Sequence, residues 1–145
     1  MRAVTGRQAM LAALQSAKAY PWKVTAISTR WETWLEMVKL KGVECDGHMF
    51  GALQEFARLC REQVPPPWPD AFFIIGKLWA TTNEDRHAWI GFRGAGENEE
   101  WGDPTPGYPG GLLSMGSWSR VPEWGYPLNI ESGVPALPGF PYCKA

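Results

Sequence analysis

Twelve of the thirteen prolines lie after residue 63. A proline ring fixes φ and removes an amide donor, so no helix runs easily through such a region. Residues 94–145 hold ten glycines and eight prolines, a density at which aperiodic chains are usually disordered. The same stretch nevertheless carries Trp101, Tyr108, Trp118, Trp124, Tyr126, Phe140 and Tyr142. Each such ring can bury roughly 150–250 Å², and a disordered tail does not normally carry that apolar load. The segment therefore reads as irregular but folded chain held by aromatic anchors. Gly-aromatic-Pro recurs at Gly107-Tyr108-Pro109, Gly125-Tyr126-Pro127 and Gly139-Phe140-Pro141. Glycine permits the turn, the ring packs and proline sets the exit. The aromatic-Pro bonds are candidates for cis isomers.

Residues 1–63 read as helical. Thr5 or Gly6 precedes a candidate helix over Arg7 to Ala19, with Met10, Leu11, Leu14 and Ala17 at helical spacing. Tyr20-Pro21 ends it. A second helix starts at the capping pattern Thr29-Arg30-Trp31-Glu32 and stops at Gly42. A third runs from Gly47 to about Gln63, capped by Asp46, with Phe50, Leu53, Phe56, Ala57 and Cys60 on its buried face. Val64 to Pro69 forms a short proline-rich elbow. Beyond it, Phe72 to Thr82 and Arg86 to Arg93 fit a hairpin around Asn83-Glu84-Asp85, because His87, Trp89 and Gly91 alternate with Ala88, Ile90 and Phe92. A short helix from Asp70 to Ala80 is the alternative over the first of these segments.

At 145 residues the chain is long enough for one real core. Its net charge of -1 lacks the basic footprint of a nucleic-acid binder. Residues 1–31 hold Arg2, Arg7, Lys18, Lys23 and Arg30 and no acid, so that end could meet an acidic partner, a phosphate or the chain's own acidic half. Three sparse cysteines do not make a secreted disulfide scaffold. Polar residues interrupt the N-terminal apolar stretch, which reads as helix and not as a targeting segment. No apolar run is long enough to span a bilayer. A cytoplasmic or virion location is expected.

The chemistry-bearing residues are few. Cys45, His48, Cys60 and Cys143 offer one short pair where zinc sites favour two, so no metal is expected. Cys60 fits an apolar helix stripe as a small hydrophobe. Cys60 with His87 is the one pair considered for a small Cys/His enzyme; no nucleophile elbow, phosphate loop or zincin helix is present. Glu97, Glu99 and Glu100 read as a solvated loop. Arg58 and Arg61 come too late in their helix for a recognition helix.

Trp89-Ile90-Gly91-Phe92, then Glu100-Trp101-Gly102-Asp103-Pro104-Thr105-Pro106-Gly107-Tyr108, resembles the core strands of a C-type lectin-like domain. Pro141-Tyr142-Cys143-Lys144 is similar to that family's last strand, and Thr33-Trp34-Leu35-Glu36 to the start of its first helix. The resemblance implies an irregular loop region used for binding, with the last cysteine bonded back to the first helix. The family's Glu-Pro-Asn and Trp-Asn-Asp motifs are absent, which implies no calcium-dependent sugar chemistry. The chain also looks in style like the small accessory proteins that phages encode for virions or for host inhibition.

These readings converge on a single α+β domain over 1–145. A helical N-terminal half packs with a small β-hairpin, and a long irregular Pro/Gly/aromatic segment wraps both. The expected function is non-catalytic: a protein partner or homo-oligomer contact, or a structural part of a larger assembly. Trp101, Tyr108, Trp118, Trp124 and Tyr126 are the expected contact residues, with Arg2 and Arg7 as an electrostatic handle and no cofactor.

Overall fold

The structure is a computed structural model that describes residues 4–19, 45–77, 86–94 and 98–136. Helix α1 spans Gly6–Lys18. Thr5 caps it: its hydroxyl accepts from the Gln8 amide at 3.1 Å, and the Gln8 side chain accepts from the Thr5 amide at 2.9 Å. Ala9, Met10, Ala13, Leu14 and Ala17 form its buried face. Helix α2 spans Cys45–Gln63 and buries Met49, Phe50, Leu53, Phe56, Ala57 and Cys60. Burying each large apolar side chain contributes about 1.5–3 kcal/mol.

Both helices cover one face of a six-stranded antiparallel sheet. Its strands are β1 (Asp70–Lys77), β2 (Arg86–Arg93), β3 (Glu100–Gly102), β4 (Leu113–Ser114), β5 (Val121–Asn129) and β6 (Val134–Pro135). Their order is β4-β3-β2-β1-β5-β6. The hairpin register runs from Asp70 opposite Arg93 to Lys77 opposite Arg86, so the expected hairpin pairing is present with its first strand at Asp70–Lys77 rather than Phe72 to Thr82, and β2 is buried from His87 through Phe92 rather than on one face alone. The connecting residues 78–85 lie outside the described chain.

Ring contacts orient α2. Phe56 meets Phe92 edge-on at 6.1 Å, and Phe50 stacks on Phe73 at 4.9 Å. Phe73 stands opposite Ile90. Moving toward the start of α2 therefore means moving from Phe92 toward the start of β2, and Cys45 begins the helix at the His87 end of the sheet. Helix α1 runs the other way. It starts beside Pro69 and Glu100 and ends with Lys18 donating to the carbonyls of Thr105 and Tyr108.

The expected architecture needs correction. The segment read as irregular wrapping supplies β3 to β6, so the chain is built on a six-stranded sheet rather than a small hairpin under a helical half. Prolines hid β5, which contains Pro122 and Pro127. Over Val121–Tyr126 this strand pairs with β1, and β6, the described strand on its other side, pairs only from Leu128 on. Proline is tolerated at such an edge. The register between β1 and β5 shifts at Ile75/Gly76. A Cβ at Gly76 would collide with the Val121 carbonyl oxygen, so only glycine lets β5 approach there.

Residues 64–69, read from the sequence as an elbow, join α2 to β1. The Trp68 indole turns back to donate to the Val64 carbonyl at 2.8 Å, and the Pro66–Pro67 bond is cis, rather than the bonds after Tyr108 or Tyr126. The helix expected over Thr29 to Gly42 falls outside the described residues, as do Arg2, Cys143 and the lectin-like patch at Thr33 to Glu36. No described helix is long and apolar enough to cross a membrane.

Candidate functional site

A buried polar cluster sits where β2 begins, β3 ends and β5 is about to begin. His87 is the second residue of β2, Asp103 follows β3 directly, and Arg120 immediately precedes β5. The His87 Nε2 lies 2.7 Å from Asp103 Oδ2, with the His87 side chain 8% exposed and the Asp103 side chain fully buried. Arg120 reaches the same oxygen: its guanidinium nitrogen is 2.7 Å from Oδ2, an ion pair whose angles fall outside hydrogen-bond geometry. The other carboxylate oxygen, Oδ1, accepts from the Thr105 amide at 2.9 Å and so shapes the loop after β3.

Burial would push the Asp103 carboxyl up. The hydrogen bond and charge of His87, the Arg120 guanidinium and the Thr105 amide outweigh it and hold the carboxyl below its ordinary value. Because Nε2 is committed to an ionised carboxylate, it carries the proton, and Nδ1 is left as the basic nitrogen.

Aromatic rings enclose the cluster. The Arg120 guanidinium carbon lies 4.3 Å from the Trp118 ring centroid, 4.9 Å from Tyr108 and 5.2 Å from Trp89. Tyr108 also packs 4.9 Å from the His87 ring. Gly107, with φ of 96°, makes the turn that brings Tyr108 back, and the Lys18 ammonium ties both ends of that turn to α1.

The expected contact residues divide. Tyr108 and Trp118 belong to this cluster. Trp101 is buried against Trp89 at 5.2 Å and donates to Glu99, so it fills the molecule's own interior. Tyr126 is half-buried against the core, and Trp124 is half exposed on the open sheet face. Arg7 forms a two-pronged pair with Glu100, both contacts at 3.1 Å, which ties the basic end to the chain's own acidic half.

The enzymatic pair considered from the sequence, Cys60 with His87, is not brought together. Cys60 lies in the last turns of α2, beyond Phe56 and toward the opposite end of β2, and burial pushes its thiol up to about 11. Such a thiol is inert. Sequence reasoning missed Asp103 and Arg120. No local pattern marks the acid, which lies 16 residues beyond His87 after a three-residue strand. Among the described residues, no group of three or more His, Cys, Asp or Glu is placed to hold a metal ion.

No protein-family model and no curated protein matches the sequence. Two solved structures share its fold, those of Legionella pneumophila LapG in calcium-bound and EGTA-treated forms. The calcium-bound form superposes with a TM-score of 0.61 over 84% of this chain, and the EGTA-treated form with 0.62 over 86%. Sequence identity is 12% in both cases, which speaks to fold alone. The chain spans 64% and 63% of the length of these two structures.

Proposed function

We propose that the chain is a cysteine hydrolase acting on amide or related acyl bonds, with Cys45 as nucleophile, His87 as general base and acid, and Asp103 as the group that orients the imidazole. The observation that carries this reading is the buried His87–Asp103 pair at the end of the sheet where α2 begins, with Cys45 as that helix's first residue. A cysteine at a helix N-terminus has its thiolate favoured by the helix dipole. A histidine held through one nitrogen by a carboxylate, with the other free, is the base such a nucleophile needs.

In the reaction the Cys45 thiol proton passes to His87 Nδ1. The sulfur bonds to the acyl carbon, and the imidazolium returns the proton to the leaving amine as the carbon–nitrogen bond breaks. His87 then deprotonates water, which releases the acid and regenerates the thiol. Asp103 stays ionised throughout and stabilises the imidazolium.

The test uses the intact chain with casein-derived peptides and with iodoacetamide. Alkylation of Cys45 at neutral pH faster than that of free cysteine is expected, with slowing in His87→Ala and loss of any peptide cleavage in Cys45→Ala. Ordinary alkylation of Cys45 that is indifferent to His87→Ala would sink the proposal.

A non-catalytic contact to a protein partner or a second copy is the second reading. It is supported by Leu113, Met115, Val121 and Trp124, which are all exposed. Light scattering that changes on Trp124→Ser, with Cys45→Ala leaving every activity intact, would favour it.

A further inference from the structure

The site as described has a fourth member whose chemistry the hydrolase reading does not require. We propose that Arg120 is a positioning residue: its caged guanidinium sits on the Asp103 oxygen that His87 also uses, and it fixes the carboxylate so that the imidazole is locked with Nδ1 as its base. The inference rests on the hydrolase reading for its purpose, though not for its geometry.

The argument begins with cost. An arginine side chain 4% exposed is expensive to bury unless it is paired. Lysine would not serve equally well, because only the planar guanidinium stacks between rings while presenting a nitrogen sideways. Here the guanidinium carbon lies 4.3 to 5.2 Å from the ring centroids of Trp118, Tyr108 and Trp89, and one guanidinium nitrogen is 2.7 Å from Asp103 Oδ2. The surface alternative, in which a cation merely pairs with a nearby acid, does not apply, since neither partner reaches solvent.

The consequence for His87 is specific. With Oδ1 held by the Thr105 amide and Oδ2 by Arg120, the carboxylate cannot rotate, and only one direction remains for the imidazole Nε2–H. Without Arg120 the carboxylate would be fixed to the backbone by the Thr105 amide alone, and it could swing about that contact and release the ring. Arg120 thus acts on the chemistry through Asp103.

Proton NMR of the whole protein reads the imidazole N–H directly. An N–H held by a buried carboxylate gives a slowly exchanging downfield resonance, expected in the wild type and absent in Asp103→Asn. In Arg120→Gln, with amide dispersion retained, the resonance should be lost, and Cys45 alkylation by iodoacetamide should slow by about tenfold, one pKa unit of thiolate. Arg120→Lys should give values between wild type and Arg120→Gln. A folded Arg120→Gln with the resonance and alkylation rate of wild type overturns the proposal. If Arg120→Gln fails to fold, Arg120→Lys decides: a displaced resonance supports the proposal, and wild-type values in both measurements overturn it. Alkylation indifferent to His87→Ala would defeat the hydrolase reading alone, leaving the resonance to judge Arg120.

Discussion

Cys45 and Cys60 stand on the same helix, and the helix ends in two different environments. Near Cys60 the helix buries Phe56 and Ala57, and burial raises the thiol to about 11 against the opposing charge of Arg61. At the Cys45 end the sheet presents His87, Asp103 and Arg120, three ionisable side chains with almost no access to solvent. One end stabilises by excluding water from carbon. The other must satisfy each polar atom it buries, which confines those atoms to one arrangement. The lesson is that the two ends of one helix-and-sheet layer bury side chains under opposite constraints.

The largest expected effect on this contrast comes from Asp103→Asn. It leaves Arg120 buried against a neutral amide, and urea unfolding should show a loss of about 3–5 kcal/mol. A loss below about 1 kcal/mol would mean that the polar end is far more hydrated than its burial indicates.

Acid should act on the same end. The folded Asp103 carboxyl titrates below its ordinary value, so the unfolded chain binds its proton first as pH falls. The stabilisation is present in full above the ordinary carboxylate range and disappears as pH drops through the folded value. Thermal midpoints measured down that range should fall for the wild type, and the Asp103→Asn curve should be flatter. Parallel curves would remove Asp103 from the account.

A smaller effect sharpens the apolar side. Cys60→Ala deletes one buried sulfur and should cost about 1–2 kcal/mol without altering any activity. Mass spectrometry after iodoacetamide should find Cys60 unlabelled in the native protein and labelled in denaturant. The smallest change is Trp124→Ser on the open sheet face, which should stay within about 0.5 kcal/mol of wild type because its ring is half exposed.

How far the sequence revealed this arrangement depends on how local each feature is. Helix α1 was readable because its stop and its apolar spacing are contained in its own residues. The β1–β2 hairpin was readable because two adjoining segments are rich in aromatic and β-branched residues and the second alternates. Strand β3 is three residues long and β4 two, too short to show any period. Strand β5 is exposed along most of both faces and carries two prolines, so neither alternation nor propensity marks it. The helical half with a small hairpin was therefore the wrong architecture for a local reason. Of the cluster, Tyr108 and Trp118 stand out in the sequence by their rings and His87 by its imidazole, there paired with Cys60, while Cys45 stands out only as a candidate metal ligand. Asp103 and Arg120 are joined by a meeting of two loops, which no spacing along the chain encodes.

The missing methyl group at Gly76 has a reach beyond its own strand. The Val121 carbonyl occupies that space, and Arg120 is the next residue back along the backbone. The depth to which the guanidinium is inserted is thus set by how closely two backbones touch on a neighbouring strand. A single added carbon there, carrying no charge and lying outside the cluster of His87, Asp103 and Arg120, would lever β5 outward and withdraw the cation from its carboxylate.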